Sequence, residues 1–195
     1  GLTDICNEQQ LEEFLPKIIK DDVFMIAIAM TEPNHGIDVN LPYDAPDVTM
    51  DTVAKRMGDE YVINGMKHFI TNGGIAKLYL LGARTGDKKL GITKNTSIFL
   101  VPSDTPGFSV AKFHDKLGRR LQMNGEIVFE DMRIPTRYLV GKENKWLTAG
   151  SLIANSVALG TLRACYEEAL DYAKTRVQGG RLIIQHPTVA ARLAD

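Results

Sequence analysis

The chain of 195 residues is poor in the features that usually announce a class. Its two cysteines, Cys6 and Cys165, are too far apart for a metal-ligand or redox spacing, and a reducing compartment is the plain reading. No apolar run approaches the ~20 residues that a membrane-spanning helix needs. The first residues hold no basic stretch leading into an apolar one, so no signal peptide is expected there. Gly-x-Gly-x-x-Gly is missing, which excludes the usual strand–loop–helix dinucleotide fingerprint. Net charge is −1 and Lys and Arg are scattered, against nucleic acid as a partner. The histidines, His35, His68, His114 and His186, share no ligand spacing, so no metal site is expected. What is present, 44% hydrophobic and 24% charged residues, suits one good core and part of another domain.

Asn7 followed by Gln10 resembles a helix-capping pair, with Leu11, Phe14, Leu15, Ile18 and Ile19 on one face. Pro16 predicts that this helix is short or kinked. Residues 24–30 form a short apolar run stopped by Glu32-Pro33, the pattern of a buried strand. Pro42, Pro46 and the aspartates from Asp38 to Asp47 mark a long loop. Further strands are expected over 52–57, 61–63, 66–70, 78–84, 97–101, 108–113 and 127–129. Asn64-Gly65 predicts a two-residue hairpin and Asp104-Thr105-Pro106-Gly107 another turn. Many short strands broken by turns predict an antiparallel barrel or sandwich. Beyond Trp146, Leu147, Ala154, Ala158, Leu162, Cys165, Ala169 and Ala173 recur at mostly helical steps, predicting one helix of up to ~45 Å. Gln178-Gly179-Gly180 ends it, and Pro187-Thr188 opens another. A lone helix cannot bury its own apolar stripe, so a fragment or an assembly of subunits is expected.

Two runs carry the chemistry. The first is Ala27-Ile28-Ala29-Met30-Thr31-Glu32-Pro33, continuing through Gly36 to Asp38; the second is Asn64-Gly65-Met66-Lys67-His68-Phe69-Ile70-Thr71-Asn72-Gly73-Gly74. Each sets strand-like residues before a threonine and a glycine-bearing loop, which suits a flat redox ring held at strand ends by hydroxyls and backbone amides. Thr105-Pro106-Gly107-Phe108, Leu117-Gly118-Arg119-Arg120, Val128-Phe129-Glu130-Asp131 with Ile134-Pro135, Gly160, and Tyr172, Arg176 and Gly180 follow in order. Together, over nearly the whole chain, these motifs resemble the acyl-CoA dehydrogenase family.

The resemblance implies an α+β fold in which 1–22 end an N-terminal helical region, 23–140 form the middle β-domain, and 141–195 start a truncated C-terminal helical domain. It implies an FAD enzyme that removes an α-proton and a β-hydride from an acyl-CoA thioester and passes electrons to an electron-transfer flavoprotein. The protein would be a homodimer or homotetramer in the cytoplasm, or in the mitochondrial matrix of a eukaryote. The cofactor set would be Ile28, Met30, Thr31, Gly36, Ile37, Phe69, Ile70 and Thr71, with Phe69 against the ring and the Thr71 hydroxyl near N5. Arg176 would reach the FAD pyrophosphate of a neighbouring subunit, and Ile37 would also touch substrate.

Three departures stand out. Ile37 replaces the family's usual serine and cannot make its hydrogen bond; Ser151 falls where an arginine is expected; Ala149 stands near the position some members use for the base, and no catalytic base is assignable. Two other readings stay open: an acyl-CoA oxidase using oxygen, and a non-catalytic binding or assembly module of the same fold. Taken singly, Thr31 and Thr71 read as strand residues, Phe69 as core, Arg176 as a solvated helix-end charge, and Glu32 and Asp38 as caps or solvated charges with no catalytic role.

Overall fold

The computed structural model describes residues 2–36, 38, 45, 48–145 and 150–194, with the side chains of 150–157 left out. A short α1 (Leu2–Ile5) precedes α2 (Glu8–Ile19). The expected capping pair is a reciprocal box: Gln10 N–H donates to the Asn7 side chain at 2.9 Å, and Asn7 N–H to Gln10 Oε1 at 3.1 Å. Pro16 lies inside α2 and does not end it. Gln10 Nε2 also donates to the carbonyls of Arg137 at 2.7 Å and Leu139 at 2.8 Å. Phe14, buried at the next turn, packs on the Tyr138 ring at 5.2 Å. The helix is thereby fastened to the sheet by both hydrogen bonds and apolar burial.

The strands are β1 (Ile26–Ala29), β2 (Val53–Met57), β3 (Glu60–Thr71), β4 (Leu78–Arg84), β5 (Thr96–Pro102), β6 (Phe108–Phe113), β7 (Asn124–Pro135) and β8 (Leu139–Val140), with a one-turn α3 (Ile92–Asn95) before β5. They form one mixed sheet ordered β6-β7-β3-β2-β4-β5-β8, with β1 also beside β4. The α+β class and the sandwich-like layering are as expected. The barrel is not, because the path ends at β6 and β8 without closing. Nor is the sheet wholly antiparallel. β5 covers one edge of β4 along its length, while β1 and β2 both run parallel to β4, at Leu78 to Leu81 and at Arg84. Strand β4, flanked on both edges, is therefore almost continuously apolar and buried. Tyr61, Ile63, Leu78, Leu81, Phe99, Ile127 and Phe129 fill the core.

Asn64-Gly65 is not a hairpin. β3 runs straight through it, and the register with β7 slips between Ile63 and Gly65. Gly65 sits at φ +148°, and a Cβ there would lie 2.6 Å from Thr52 Cα, so glycine is required for close approach of β2. The hairpin turn falls earlier, at Gly58-Asp59, where Met57 pairs with Glu60.

Residues 148–195 make a second compact unit. It holds α4 (Gly150–Thr175), a two-strand hairpin of β9 (Val177–Gln178) and β10 (Arg181–Leu182), and α5 (Pro187–Ala194). Gly179 and Gly180, at φ +62° and +80°, supply the tight turn. The expected helix start at 146–149 lies outside the described residues; 26 residues of α4 span about 39 Å. No helix among the described residues is long and apolar enough to cross a membrane.

Candidate functional site

The two threonine-ending runs, more than thirty residues apart in sequence, lie side by side. The His68 N–H donates to the Thr31 carbonyl at 2.8 Å, so the end of β1 lies against the last third of β3. Behind that seam is a buried ion pair. Lys67 Nζ lies 2.7 Å from Glu32 Oε1 and 2.9 Å from the Met30 carbonyl, with both charged side chains at 0% exposure. The Glu32 carboxylate also accepts from the Asp51 amide at Oε2 and the Thr52 amide at Oε1, and so fixes the entry to β2. Burial pulls the Lys67 ammonium down to about 8, against the opposing attraction of Glu32. Glu32 thus caps two backbone amides and is buried and paired rather than solvated; Asp38 hydrogen-bonds His35 at 3.2 Å.

A second bulge sits between Lys67 and Ile70 of β3. Ordinary alternation would put 67 and 69 on one face; the extra residue lets Lys67 and Ile70 both point inward while Phe69 turns out, 58% exposed. Phe69 adopts φ +57°, rare for a bulky side chain, and its carbonyl is held by Asn124 Nδ2 at 2.9 Å. The strain is thus borne by a specific clamp from β7, and it aims one aromatic ring at solvent. Asn72, also at positive φ, begins the loop, with its amide on the Met123 carbonyl at 2.9 Å and its own carbonyl accepting from Ala76.

Of the expected site residues, Thr31, Phe69 and Thr71 are brought to this edge. Ile28 is exposed on β1 beyond it, and Met30 is half-buried over Gly82, where a Cβ would meet its sulfur at 2.6 Å. Gly36 follows a tight turn in which Glu32 and His35 exchange backbone hydrogen bonds. Ile70 points into the core at 2% exposure, leaving only its main chain available. Ile37 lies outside the described residues, as do Ala149 and the side chain of Ser151. Arg176 belongs to the second unit, just past α4, exposed, with its guanidinium 3.2 Å from Gln178 Oε1. Lys67 and Asn124 escaped the sequence reading. Lys67 had left a signal, a charge at an inward strand position.

The Thr31 and Thr71 hydroxyls have no hydrogen-bond partner among the described residues. The exposed Phe69 ring, with hydroxyl-bearing Thr31 and Thr71 at the ends of the two joined runs, fits a flat, hydrogen-bonding aromatic group such as a flavin.

Residues 27–132 match the family model "Acyl-CoA dehydrogenase, middle domain" and residues 147–195 match "Acyl-CoA dehydrogenase, C-terminal domain". The chain belongs to the acyl-CoA dehydrogenase family. It is 37% identical over 195 residues to the short-chain-specific acyl-CoA dehydrogenase of Clostridium acetobutylicum, covering 96% of this chain and 48% of that one. The structure of butyryl-CoA dehydrogenase from Megasphaera elsdenii superposes with TM-score 0.74 at 30% identity, over 100% of this chain and 50% of that one. A glutaryl-CoA dehydrogenase of Mycobacterium smegmatis in complex with FADH2 superposes with TM-score 0.72 at 26% identity, over 99% and 47%. The chain spans about half the length of the curated relatives it matches.

Proposed function

We propose that this chain is the flavin-holding portion of an FAD-dependent acyl-CoA dehydrogenase that desaturates an acyl-CoA thioester between its α and β carbons. The observation that carries this reading is the joining of Thr31 to the Phe69–Thr71 edge through the His68–Thr31 hydrogen bond and the buried Lys67–Glu32 pair. When bound, FAD supplies the acceptor for the β-hydride. The chain's own residues position it. Phe69 offers an aromatic face, Ile28 and Met30 apolar contacts, and Ile70 its main chain. The Thr31 and Thr71 hydroxyls serve oxidised and reduced rings alike, being neutral. Gly36 leaves room for close backbone approach, and Ile37 borders both the cofactor and the thioester.

Arg176, a planar cation suited to bidentate phosphate contact, serves the FAD diphosphate of a neighbouring subunit in a homodimer or homotetramer. The electron acceptor is an electron-transfer flavoprotein. The domain limits 1–22, 23–140 and 141–195 go with this reading. No side chain of this chain is assigned as the base.

The test is anaerobic. The full-length protein is purified, checked for a yellow flavin band, and mixed with a panel of acyl-CoA thioesters. Bleaching of the band by at least one thioester supports the dehydrogenase. A colourless protein that rejects added FAD supports instead a non-catalytic module of the same fold, and peroxide release on reoxidation supports an oxidase.

A further inference from the structure

Two histidines that share no spacing in sequence meet in the fold. His68 lies on β3, Glu126 is the residue of β7 facing the bulge of β3, and His114 directly follows β6. On the other side of β7, Lys112 pairs in register with Glu126, and the His114 amide donates to the Asn124 carbonyl at 2.8 Å. Three neighbouring strands thus bring His68, Glu126 and His114 to one place. One potential ligand atom from each lies within 4.8 Å of the other two.

The hydrogen bonding around these groups is incomplete. His68 Nδ1 lies 3.1 Å from Glu126 Oε2 but is not aligned with it as a hydrogen bond, and it has no other partner. His114 Nε2 is buried and unpartnered. Buried polar atoms of this kind are rarely left unsatisfied, because each costs about 1–3 kcal/mol. The two imidazoles lie 4.8 Å apart between centroids, so neither ring satisfies the other in the plane. Ligands held about 2.0–2.1 Å from a tetrahedral zinc ion stand roughly 3.3 Å apart. The His68–Glu126 separation already meets that figure, and His114 needs to close only a short distance.

We propose that His68, His114 and Glu126 form a binding site for a single divalent zinc-class ion, completed by water, which pins β3, β6 and β7 together at the bulge that presents Phe69. The donor set, two imidazoles and one carboxylate, is one that zinc takes with an open fourth position. The cluster adjoins Phe69, on the edge proposed above to hold the flavin. The His68 and His114 rings pack on Phe69 at 4.0 and 4.6 Å between centroids, so an ion here would brace that ring. A competitor among the described residues is Lys112, whose Nζ lies 3.5 Å from Glu126 Oε2 and whose side chain is 57% exposed. An entering dication would displace a largely solvated ammonium.

The test uses the flavin-loaded, full-length protein, stripped with a chelator and titrated with zinc by calorimetry, and in parallel with cobalt, whose d–d bands lie to the red of flavin absorption. The expected result is one equivalent per chain and a rise in melting temperature with zinc. His114→Gln and Glu126→Gln should weaken zinc binding more than about 100-fold, since loss of even an outer-shell partner costs about 10- to 100-fold. The flavin spectrum and far-ultraviolet dichroism report whether these variants remain folded. Lys112→Met, a surface change, should tighten binding. Absence of zinc binding to the parent, binding undiminished in both ligand variants, or Lys112→Met leaving affinity unchanged or lower would each overturn the proposal. None of these readouts depends on turnover, so failure here leaves the flavin reading standing.

Discussion

The β-unit and the helical unit treat apolar and charged side chains in opposite ways. In the sheet, even a lysine and a glutamate are taken fully out of water, and Tyr61, Ile63, Leu81, Phe99 and Ile127 are at most 1% exposed. Along α4, Leu159, Leu162 and Tyr172 are 69%, 68% and 57% exposed, and Ala173 is the only buried core residue of that unit among the described side chains. The sheet satisfies its hydrophobic faces by its own layering. Within its own unit the helix buries Ala173 at its C-terminal end, while Leu159 and Leu162 stay exposed. Stability should therefore be concentrated in the β-unit, and within it at the seam where the two threonine-ending runs meet.

Substitutions at that seam should have the largest effect. Lys67→Met leaves the Glu32 carboxylate buried without a counter-ion and should cost about 3–5 kcal/mol, read as a fall in the urea midpoint or loss of folded protein. A double change that also makes Glu32 apolar should recover much of that loss, because it removes both charges. Gly65→Ala comes next. It forces a Cβ within 2.6 Å of Thr52 at a backbone angle that alanine avoids, and should cost about 1–3 kcal/mol. Gln10→Ala, which orphans the carbonyls of Arg137 and Leu139 and removes the capping box, should cost about 1–3 kcal/mol and free α2 before the sheet melts. Leu162→Ser, on the exposed stripe, should shift the stability of this chain by less than about 0.5 kcal/mol. A loss from Leu162→Ser as large as that from Gln10→Ala would erase the contrast between the two units.

The same contrast explains what the sequence revealed. Strand β4 was legible to the residue, because a strand flanked on both edges reads as an unbroken apolar run. The capping box and the opening of α5 at Pro187 were legible because capping chemistry is local. Asn64-Gly65 misled because a glycine can serve either a tight turn or a close strand crossing, and only the distant Thr52 decides which. The parallel pairing of β1 and β2 with β4 joins residues far apart in the chain, Ile26 with Leu78 and Val53 with Arg84, so no local pattern could show it. At the candidate site, Thr31 and Phe69–Thr71 were singled out by their motifs. Their junction was not, because it rests on Lys67, whose charge argues against burial until its partner is known. The meeting of His68 with His114 was hidden for the same reason: the β3–β7–β6 order, not spacing in the chain, brings them together.

The claim that the Thr31 and Phe69–Thr71 edge holds the flavin is tested most directly on Thr71→Val, which removes one hydroxyl and keeps the side chain's shape. FAD retention through gel filtration and the rate of flavin reduction by the best thioester should be measured beside the parent protein. Weaker retention or slower reduction is the expected outcome. An unchanged flavin spectrum, with retention and reduction rate equal to the parent, would contradict it.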